Sequence, residues 1–226
     1  MAELNLSDFE VRVLGSLAEK AFITPDTYPL SLNAVTMACN QVSNRDPVMQ
    51  LTDDTVQHTL TALREKKLVR EWFPSGSRVP KFDHVLNEIY GLNEAQLAAL
   101  TLLMLRGPQT AGEIKGRSGR MHTFHEVERV EATMQTMIVE RQTPLVIKLP
   151  KSPGTKEARY AHLLSGVRAV ERQEISGSLL PPSSPSPEIF AKGDDRFSAL
   201  EDEVKQLRAE VSWLSRQFEA FKKQFE

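Results

Sequence analysis

A cluster of basic side chains between residues 64 and 81 could bind phosphate groups. Six residues of this stretch are Lys or Arg, and only Glu65 and Glu71 oppose them. Lys and Arg supply the salt-dependent, sequence-independent part of nucleic-acid affinity. The backbone contacts that the cluster predicts are Arg64, Lys67, Arg70, Arg78 and Lys81.

The helix before this cluster carries polar side chains that could contact bases. Its inward face is defined by three apolar residues at helical spacing, which are Val56, Leu60 and Leu63. The side chains on the outward face that can hydrogen-bond to base edges in a major groove are Gln57, His58 and Thr61. Asp54 and Glu65 share this face and oppose its approach to phosphates.

A second basic set lies in the C-terminal half of the chain. It consists of Lys151, Lys156 and Arg159, and residues 91–170 contain 11 Lys and Arg against 7 Asp and Glu. The helix before this set begins with three glutamates, which are Glu126, Glu128 and Glu131. They suit the positive end of a helix dipole but would repel DNA. We therefore expect the first half to contact DNA, and the second to position, pair or bind protein.

The elements around the first cluster follow the order of a winged-helix unit. The pattern predicts a helix capped by Thr52, a strand at 69–73, a loop, and a return strand at 78–85. In that fold the helix enters a major groove and the loop, or wing, contacts the backbone beside it. Residues 48–51 could add a short strand.

The same pattern occurs twice. Ser7 and Glu10 have the spacing of a capping box, and Asn93 and Gln96 repeat it. The second copy continues with predicted helices at 110–121 and 124–142 and predicted strands at 145–149 and 158–164. This internal repeat predicts a mainly α fold with small β wings (α+β), built from two tandem winged-helix domains at 1–90 and 91–170.

The remaining residues differ in composition. Residues 171–194 are rich in Pro and Ser and are predicted to form a linker. Residues 195–226 have apolar residues alternately three and four apart, which predicts a helix. Val at a and Leu at d favour a parallel coiled-coil dimer. A single helix folded back on its own domain is the alternative. The predicted dimerisation positions are Leu200, Val204, Leu207, Val211, Leu214, Phe218 and Phe221.

Composition and motifs argue against other classes of protein. The net charge is −2, and the single cysteine, Cys39, excludes an intrachain disulfide and a Cys-cluster metal site. The sequence has no signal peptide and no apolar run approaching ~18 residues, so we expect a cytoplasmic protein without a membrane partner. It also has no Gly-rich phosphate loop and no nucleophile elbow. His122 and His125 could share a metal on one helical turn, but they have no evident third ligand. We expect neither enzymatic activity nor a cofactor.

Six short stretches between about residues 6 and 165 resemble a known family. They are Thr24-Pro25, Tyr28-Pro-Leu-Ser31, Ala38-Cys-Asn-Gln41, Asn44-Arg-Asp-Pro-Val48, Leu105-Arg-Gly107 and Gln109-Thr110. These stretches are similar to the YceH family of uncharacterised bacterial proteins, which also has a heptad tail. The resemblance implies a tandem winged-helix protein. It supplies no activity and no catalytic residues.

Two functions fit this pattern. The first is a dimeric DNA-binding protein that regulates transcription and contacts DNA through its first winged helix. The second is a non-catalytic adaptor whose winged helices bind protein, with the acidic helix faces suited to a basic partner. The charges could also form ordinary solvated faces.

Overall fold

The computed structural model describes residues 5–74, 76, 78–139, 143–151 and 157–166. They all belong to a compact unit that spans Met1–Ser178. The predicted linker at 171–194, the predicted coiled coil with its seven dimerisation positions, and Lys156 lie outside the described residues. Among the described helices, none combines the length and the apolar character needed to cross a membrane.

The first half forms a helical unit with a three-stranded antiparallel sheet. Its elements are α1 (Asp8–Ile23), a 3-10 turn (Pro25–Thr27), β1 (Leu30–Ser31), α2 (Leu32–Cys39), α3 (Asp53–Glu65), β2 (Val69–Trp72), β3 (Lys81–His84) and α4 (Leu86–Tyr90). The strand order is β1-β3-β2. The side chains of Ser7, Ser31 and Thr52 cap α1, α2 and α3, as predicted. Helix, hairpin and wing therefore follow the winged-helix order.

The second half repeats this arrangement. Its elements are α5 (Glu94–Arg106), β4 (Gln109–Thr110), α6 (Ala111–Ser118), α7 (Val127–Val139), β5 (Val146–Lys148) and β6 (Arg159–His162). The strand order, β4-β6-β5, is equivalent to that of the first sheet. Asn93 and Gln96 form the predicted capping box at the start of α5. The predicted α+β fold of winged-helix type is confirmed.

Some predicted boundaries were wrong, and the expected strand at 48–51 does not form. The side-chain amide of Asn40 donates to the backbone carbonyl of Leu51 at 2.8 Å and accepts from its backbone N–H at 2.7 Å. These two backbone groups are therefore not free to pair with a strand. The first strand of the sheet is instead β1, where Leu30 pairs with Phe82. The return strand begins only at Lys81, because Pro80 has no N–H to donate.

The ends of other elements also differ from the prediction, including the strands expected at 69–73 and 145–149, which span Val69–Trp72 and Val146–Lys148. The helix expected from residue 124 begins at Val127, and the helix expected at 110–121 ends at Ser118. The last strand spans Arg159–His162 rather than 158–164. These differences of one to three residues lie at element ends, where fraying and turn geometry decide the boundary.

The two winged-helix units pack through α1 and α5 and share one continuous apolar core. The two helices approach closely at Gly15, where an added Cβ would lie 3.0 Å from Cδ2 of Leu105. A larger residue there would push the helices apart. The shared core makes the described part of the chain one rigid support for both wings.

A buried ion pair fixes the loop between α2 and α3 onto this support. The guanidinium of Arg45 donates to both carboxylate oxygens of Glu19, at 3.1 and 2.6 Å, and to the carbonyl of Ala38. Both side chains of the ion pair are buried. The next residue, Asp46, donates its N–H to the carbonyl of Leu105 in α5 at 2.9 Å. The Asn44-Arg-Asp-Pro47 loop therefore ties the first unit to the second.

Candidate nucleic-acid interface

Helix α3 places its polar side chains as its apolar periodicity predicted. Val56, Leu60 and Leu63 are fully buried, and the helix opens at Thr52 with two acidic residues in its first turn. His58 and Thr61 are exposed, and Gln57 is half-buried. The hydroxyl of Thr61 donates to the backbone carbonyl of Gln57 at 3.0 Å, which leaves the oxygen of that hydroxyl to accept a hydrogen bond.

Three of the six residues in the basic cluster form ion pairs within the protein. Arg64 pairs with Glu71, and Lys66 pairs with Glu10 at 2.6 Å. Arg70 pairs with Asp83 at 3.0 Å and with Glu88 at 2.9 Å. The cluster therefore presents less positive charge to a ligand than its sequence suggested. Arg64 and Arg70 stay predicted phosphate contacts, but each would first have to release a carboxylate.

The pair between Lys66 and Glu10 has a structural role. Burial alone would raise the pKa of the Glu10 carboxyl, but hydrogen bonds from Lys66 and from the Ser7 backbone outweigh burial and lower it. The ion pair joins the end of α3 to the start of α1. Lys66 thus holds the end of α3 against α1, and the positive charge of Lys66 is neutralised by Glu10.

The other three basic residues form no ion pair with any described residue. We refer to Lys67, Arg78 and Lys81 as the unpaired cations. Lys67 and Arg78 are exposed, and Lys81 is half-buried. Lys67 follows the end of α3, Arg78 lies in the wing loop, and Lys81 begins β3. These are the two parts of a winged helix, helix end and wing, that contact the backbone of a duplex.

Lys67 has an unusual backbone conformation. Its φ is 60°, in the left-handed region that favours glycine. The turn is a Schellman motif, because the N–H of Leu68 bonds to the carbonyl of Leu63 and the N–H of Lys67 bonds to that of Arg64, both at 2.9 Å. Glycine is the usual residue at this position. A lysine there is a local cost to stability that its exposed ammonium group could offset through ligand binding.

Two exposed aromatic residues that were not among the predicted site residues lie at the base of the first wing. Trp72 is 45% exposed and Phe73 is 61% exposed. Strand β2 buries Val69 and partly buries Glu71, whereas Arg70 and Trp72 face outward. The alternation of side chains along a strand could have predicted that Trp72 is exposed. Trp72 lies on the same face as exposed Arg70 and on the opposite face from buried Val69.

An open groove of about 680 Å³ lies beside these residues. It separates the C-terminal half of α3 from the outer strand β2. Its lining includes Thr61, Arg64 and Glu65 from α3 and Arg70, Glu71 and Trp72 from β2. The groove brings together side chains that were predicted to contact bases or phosphates, such as Thr61 and Arg64, and the aromatic side chain of Trp72. It also contains carboxylates, so its charge is mixed.

The second wing presents a different surface. Lys151 and Arg159 are exposed, and Lys148 lies over the ring of Tyr160 at 5.5 Å. The glutamates predicted to oppose DNA, at positions 126, 128 and 131, are all exposed at or just before the first turns of α7. Arg117 on α6 is occupied by Glu113 at 3.3 Å. The second unit therefore offers an acidic helix where the first offers polar and basic groups.

Three of the histidines, which are His84, His122 and His162, contact or pack against the body of the protein. The ring of His122 lies edge-on to Phe124, with centroids 4.7 Å apart, and no group of three or more His, Cys, Asp or Glu among the described residues could hold a metal. His84 and His162 occupy equivalent positions at the ends of β3 and β6. Burial lowers the pKa of each to about 4, so both are neutral near pH 7.

These features define the class of the protein as a pair of tandem winged-helix units in one body. The chain belongs to the family DUF480, described as a protein of unknown function, which matches residues 6–155. The predicted resemblance to a family of uncharacterised bacterial proteins is thereby confirmed.

Full-length bacterial relatives support this assignment. The chain is 46% identical over 216 residues to a UPF0502 protein of Herminiimonas arsenicoxydans, covering 96% of this chain and 89% of the relative. It is 43% identical to a UPF0502 protein of Azoarcus sp. (strain BH72), covering 100% and 96%. It is 46% identical to one of Geobacter sulfurreducens, covering 99% and 100%. The similarity therefore extends over the tail as well as the two winged helices.

Proposed function

We propose that this protein is a non-catalytic DNA-binding regulator of transcription that contacts DNA through its first winged helix. The observation that carries the proposal is the placement of the unpaired cations, Lys67, Arg78 and Lys81, at the end of α3 and in the first wing. A winged helix uses these two places to contact the phosphates beside a major groove. Because their charges have no partner among the described residues, a phosphate could bind without breaking an ion pair.

Sequence preference comes from the outward face of α3. Gln57 can make a bidentate contact with adenine, and Thr61 and His58 can contact other base edges. Each bidentate contact is worth about 1–3 kcal/mol of discrimination. Asp54 and Glu65 on the same face are unfavourable near phosphates, which restricts the helix to orientations that keep both over the groove or in solvent.

The proposed assembly is a homodimer held by the C-terminal helix. A parallel coiled coil through residues such as Leu207 and Val211 would place two first units together. A dimer with two equivalent DNA-binding units favours a palindromic site. Because the predicted linker is long, the distance between the two half-sites can vary. The predicted partners are therefore DNA and a second copy of the chain.

The test is a titration of the intact protein against pooled genomic fragments at low and moderate salt. Lys67→Ala, Arg78→Ala and Lys81→Ala should each weaken binding to all fragments and lower the salt slope by about 0.9 for each phosphate that is no longer neutralised. Lys151→Ala is the matched control, because it removes an exposed lysine near the second wing. Affinity that stays in the non-specific range of roughly 10⁻⁴–10⁻⁶ M, with equal behaviour of all four variants, would reject DNA as the ligand.

A second candidate function is an adaptor that binds a basic protein through α7. The observation that favours it is the exposed acidic surface formed by Glu126, Glu128 and Glu131. Replacing all three with Gln should abolish capture of such a partner and leave DNA binding unchanged or stronger. A capture experiment in which this variant retains the same proteins as the parent would exclude α7 as the binding surface.

A further inference from the structure

Trp72 and Phe73 are consecutive exposed aromatic residues at the base of the first wing, and we refer to them as the aromatic pair. They are 45% and 61% exposed, although each could bury a large apolar surface in a core. Large apolar side chains that stay exposed next to one another commonly mark a binding surface. Both side chains stay exposed within the described part of the chain, so a ligand can reach them.

The sheet surrounds the aromatic pair with charge. In the antiparallel register Trp72 lies directly opposite Lys81, and Arg70 lies opposite Asp83. Residues opposite one another share a face of the sheet. Trp72 therefore has an unpaired cation, Lys81, beside it across the strands. Arg70 lies two residues away along the same strand, but its charge is held by Asp83 and Glu88. Aromatic rings interleaved with cations are the arrangement of proteins that bind nucleic-acid strands with unstacked bases.

The adjacent groove suits a base better than a phosphate. Its volume of about 680 Å³ lies within the range of pockets that hold small molecules, so a nucleobase fits. Glu65, Glu71 and Asp83 contribute to its lining and would repel a phosphate. Carboxylates can, however, accept hydrogen bonds from the amino groups of bases. We therefore place a base in the groove, where the carboxylates lie, and the phosphates at the unpaired cations.

We propose that Trp72 and Phe73 stack on unpaired bases, so that the preferred ligand is DNA with a bubble or a single-stranded end next to a duplex. The inference rests on the proposed function and names its ligand class. Helix α3 contacts the duplex, the unpaired cations hold the backbone, and the aromatic pair holds bases that have left the stack. An extended peptide on the outer strand β2 is the competing occupant. Lys81, which lies opposite Trp72, and the other two unpaired cations of the first unit favour a polyanion over a peptide.

The experiment uses the fluorescence of Trp72 in the intact chain. The protein has two tryptophans, so Trp213→Phe leaves Trp72 as the single reporter. Three DNAs of one sequence are titrated at constant salt: a full duplex, the same duplex with a central bubble, and the single strand. We expect the bubble to bind roughly 5- to 150-fold more tightly than the duplex, the range for one stacked base, and to quench Trp72 fluorescence.

Variants separate stacking from apolar contact. Trp72→Leu should remove the preference for the bubble while retaining binding to the duplex, and Trp72→Phe should keep part of the preference because it keeps a ring. Phe73→Leu provides an independent second variant. Thermal denaturation confirms that each variant folds, which we expect since both side chains are exposed.

The outcomes distinguish this inference from the proposed function. If the duplex binds in a manner that depends on Lys67 and Arg78, but the bubble gains nothing and Trp72→Leu behaves like the parent, the stacking inference is wrong and the proposed function stands. If no DNA binds, both fail. If Trp72 fluorescence responds to extended peptides and to none of the three DNAs, the groove is a peptide site and the inference is overturned.

Discussion

Replacing Lys67 with glycine should stabilise the protein and weaken its binding to DNA. Lys67 has φ 60° at the end of α3, a conformation that costs an L-residue about 1–2 kcal/mol and costs glycine little. Glycine also makes the unfolded chain more flexible, which offsets about 0.4–1 kcal/mol of the gain. The expected net stabilisation is therefore about 0.5–1 kcal/mol. For a folded unit of this size that corresponds to an increase in Tm of roughly 1–4 °C.

The assay combines thermal denaturation with a DNA titration on the same samples. Lys67→Ala is the control, because it removes the charge but keeps the side-chain carbon that makes this backbone conformation costly. Lys67→Gly should have a higher Tm than Lys67→Ala, whereas both should bind DNA equally weakly. A lower Tm for Lys67→Gly than for the parent would refute the strain argument, and unchanged DNA affinity in both variants would refute a phosphate contact at this position.

Three further predictions concern stability and assembly. Arg45→Ala should destabilise the protein by about 3–5 kcal/mol in urea denaturation, because it leaves the carboxylate of Glu19 buried without a partner. His84 and His162 have pKa values of about 4 in the folded protein, against about 6.5 in the unfolded chain. Because the unfolded chain binds these protons first, the free energy of unfolding is highest above pH ~6.5 and declines as the pH falls towards 4. The free energy of unfolding, measured by urea denaturation from pH 7 to 4.5, should decline by on the order of 3 kcal/mol for each histidine. Deleting residues 195–226 should convert a dimer to a monomer in light scattering while the winged helices stay folded.

Each of these has its own control. Replacing Arg45 and Glu19 together with Met and Leu should recover most of the stability that Arg45→Ala removes, since no unpaired charge is then buried. Substituting Asn at either histidine should flatten the acid decline, and an unchanged slope in both variants would contradict the assignment. A deleted chain that is still dimeric at micromolar concentration would discard the coiled coil as the main contact.

Local features of the sequence were sufficient to predict α1, α2, α3, α5, α6 and α7, although not all of their ends, and the short helix α4 was missed. The capping boxes at Ser7 and at Asn93 depend on residues three apart, and the buried face of α3 depends on residues three and four apart. The winged-helix order and its repeat followed from these elements. The strand at 48–51 was predicted wrongly because strand formation needs a partner. In the folded chain Asn40, eleven residues before Leu51, satisfies the backbone instead.

The electrostatics of the site depend on contacts that sequence spacing does not reveal. Lys66 is neutralised by Glu10, which lies 56 residues away, and Arg70 by Glu88, which lies 18 residues away. Counting charges from residue 64 to residue 81 therefore overestimated the available positive charge. The exposure of Trp72 was missed for a related reason, since an aromatic residue in a short strand is usually read as part of the core.

The salt dependence of DNA binding tests the central claim most directly. The slope of log K against log salt is measured for the parent chain and for the triple variant Lys67→Ala, Arg78→Ala, Lys81→Ala on one duplex. If each unpaired cation neutralises one phosphate, the slope of the triple variant should be shallower by about 2.7, because each contact contributes about 0.9. Equal slopes for the two proteins would contradict the assignment of the first winged helix as the DNA-binding surface.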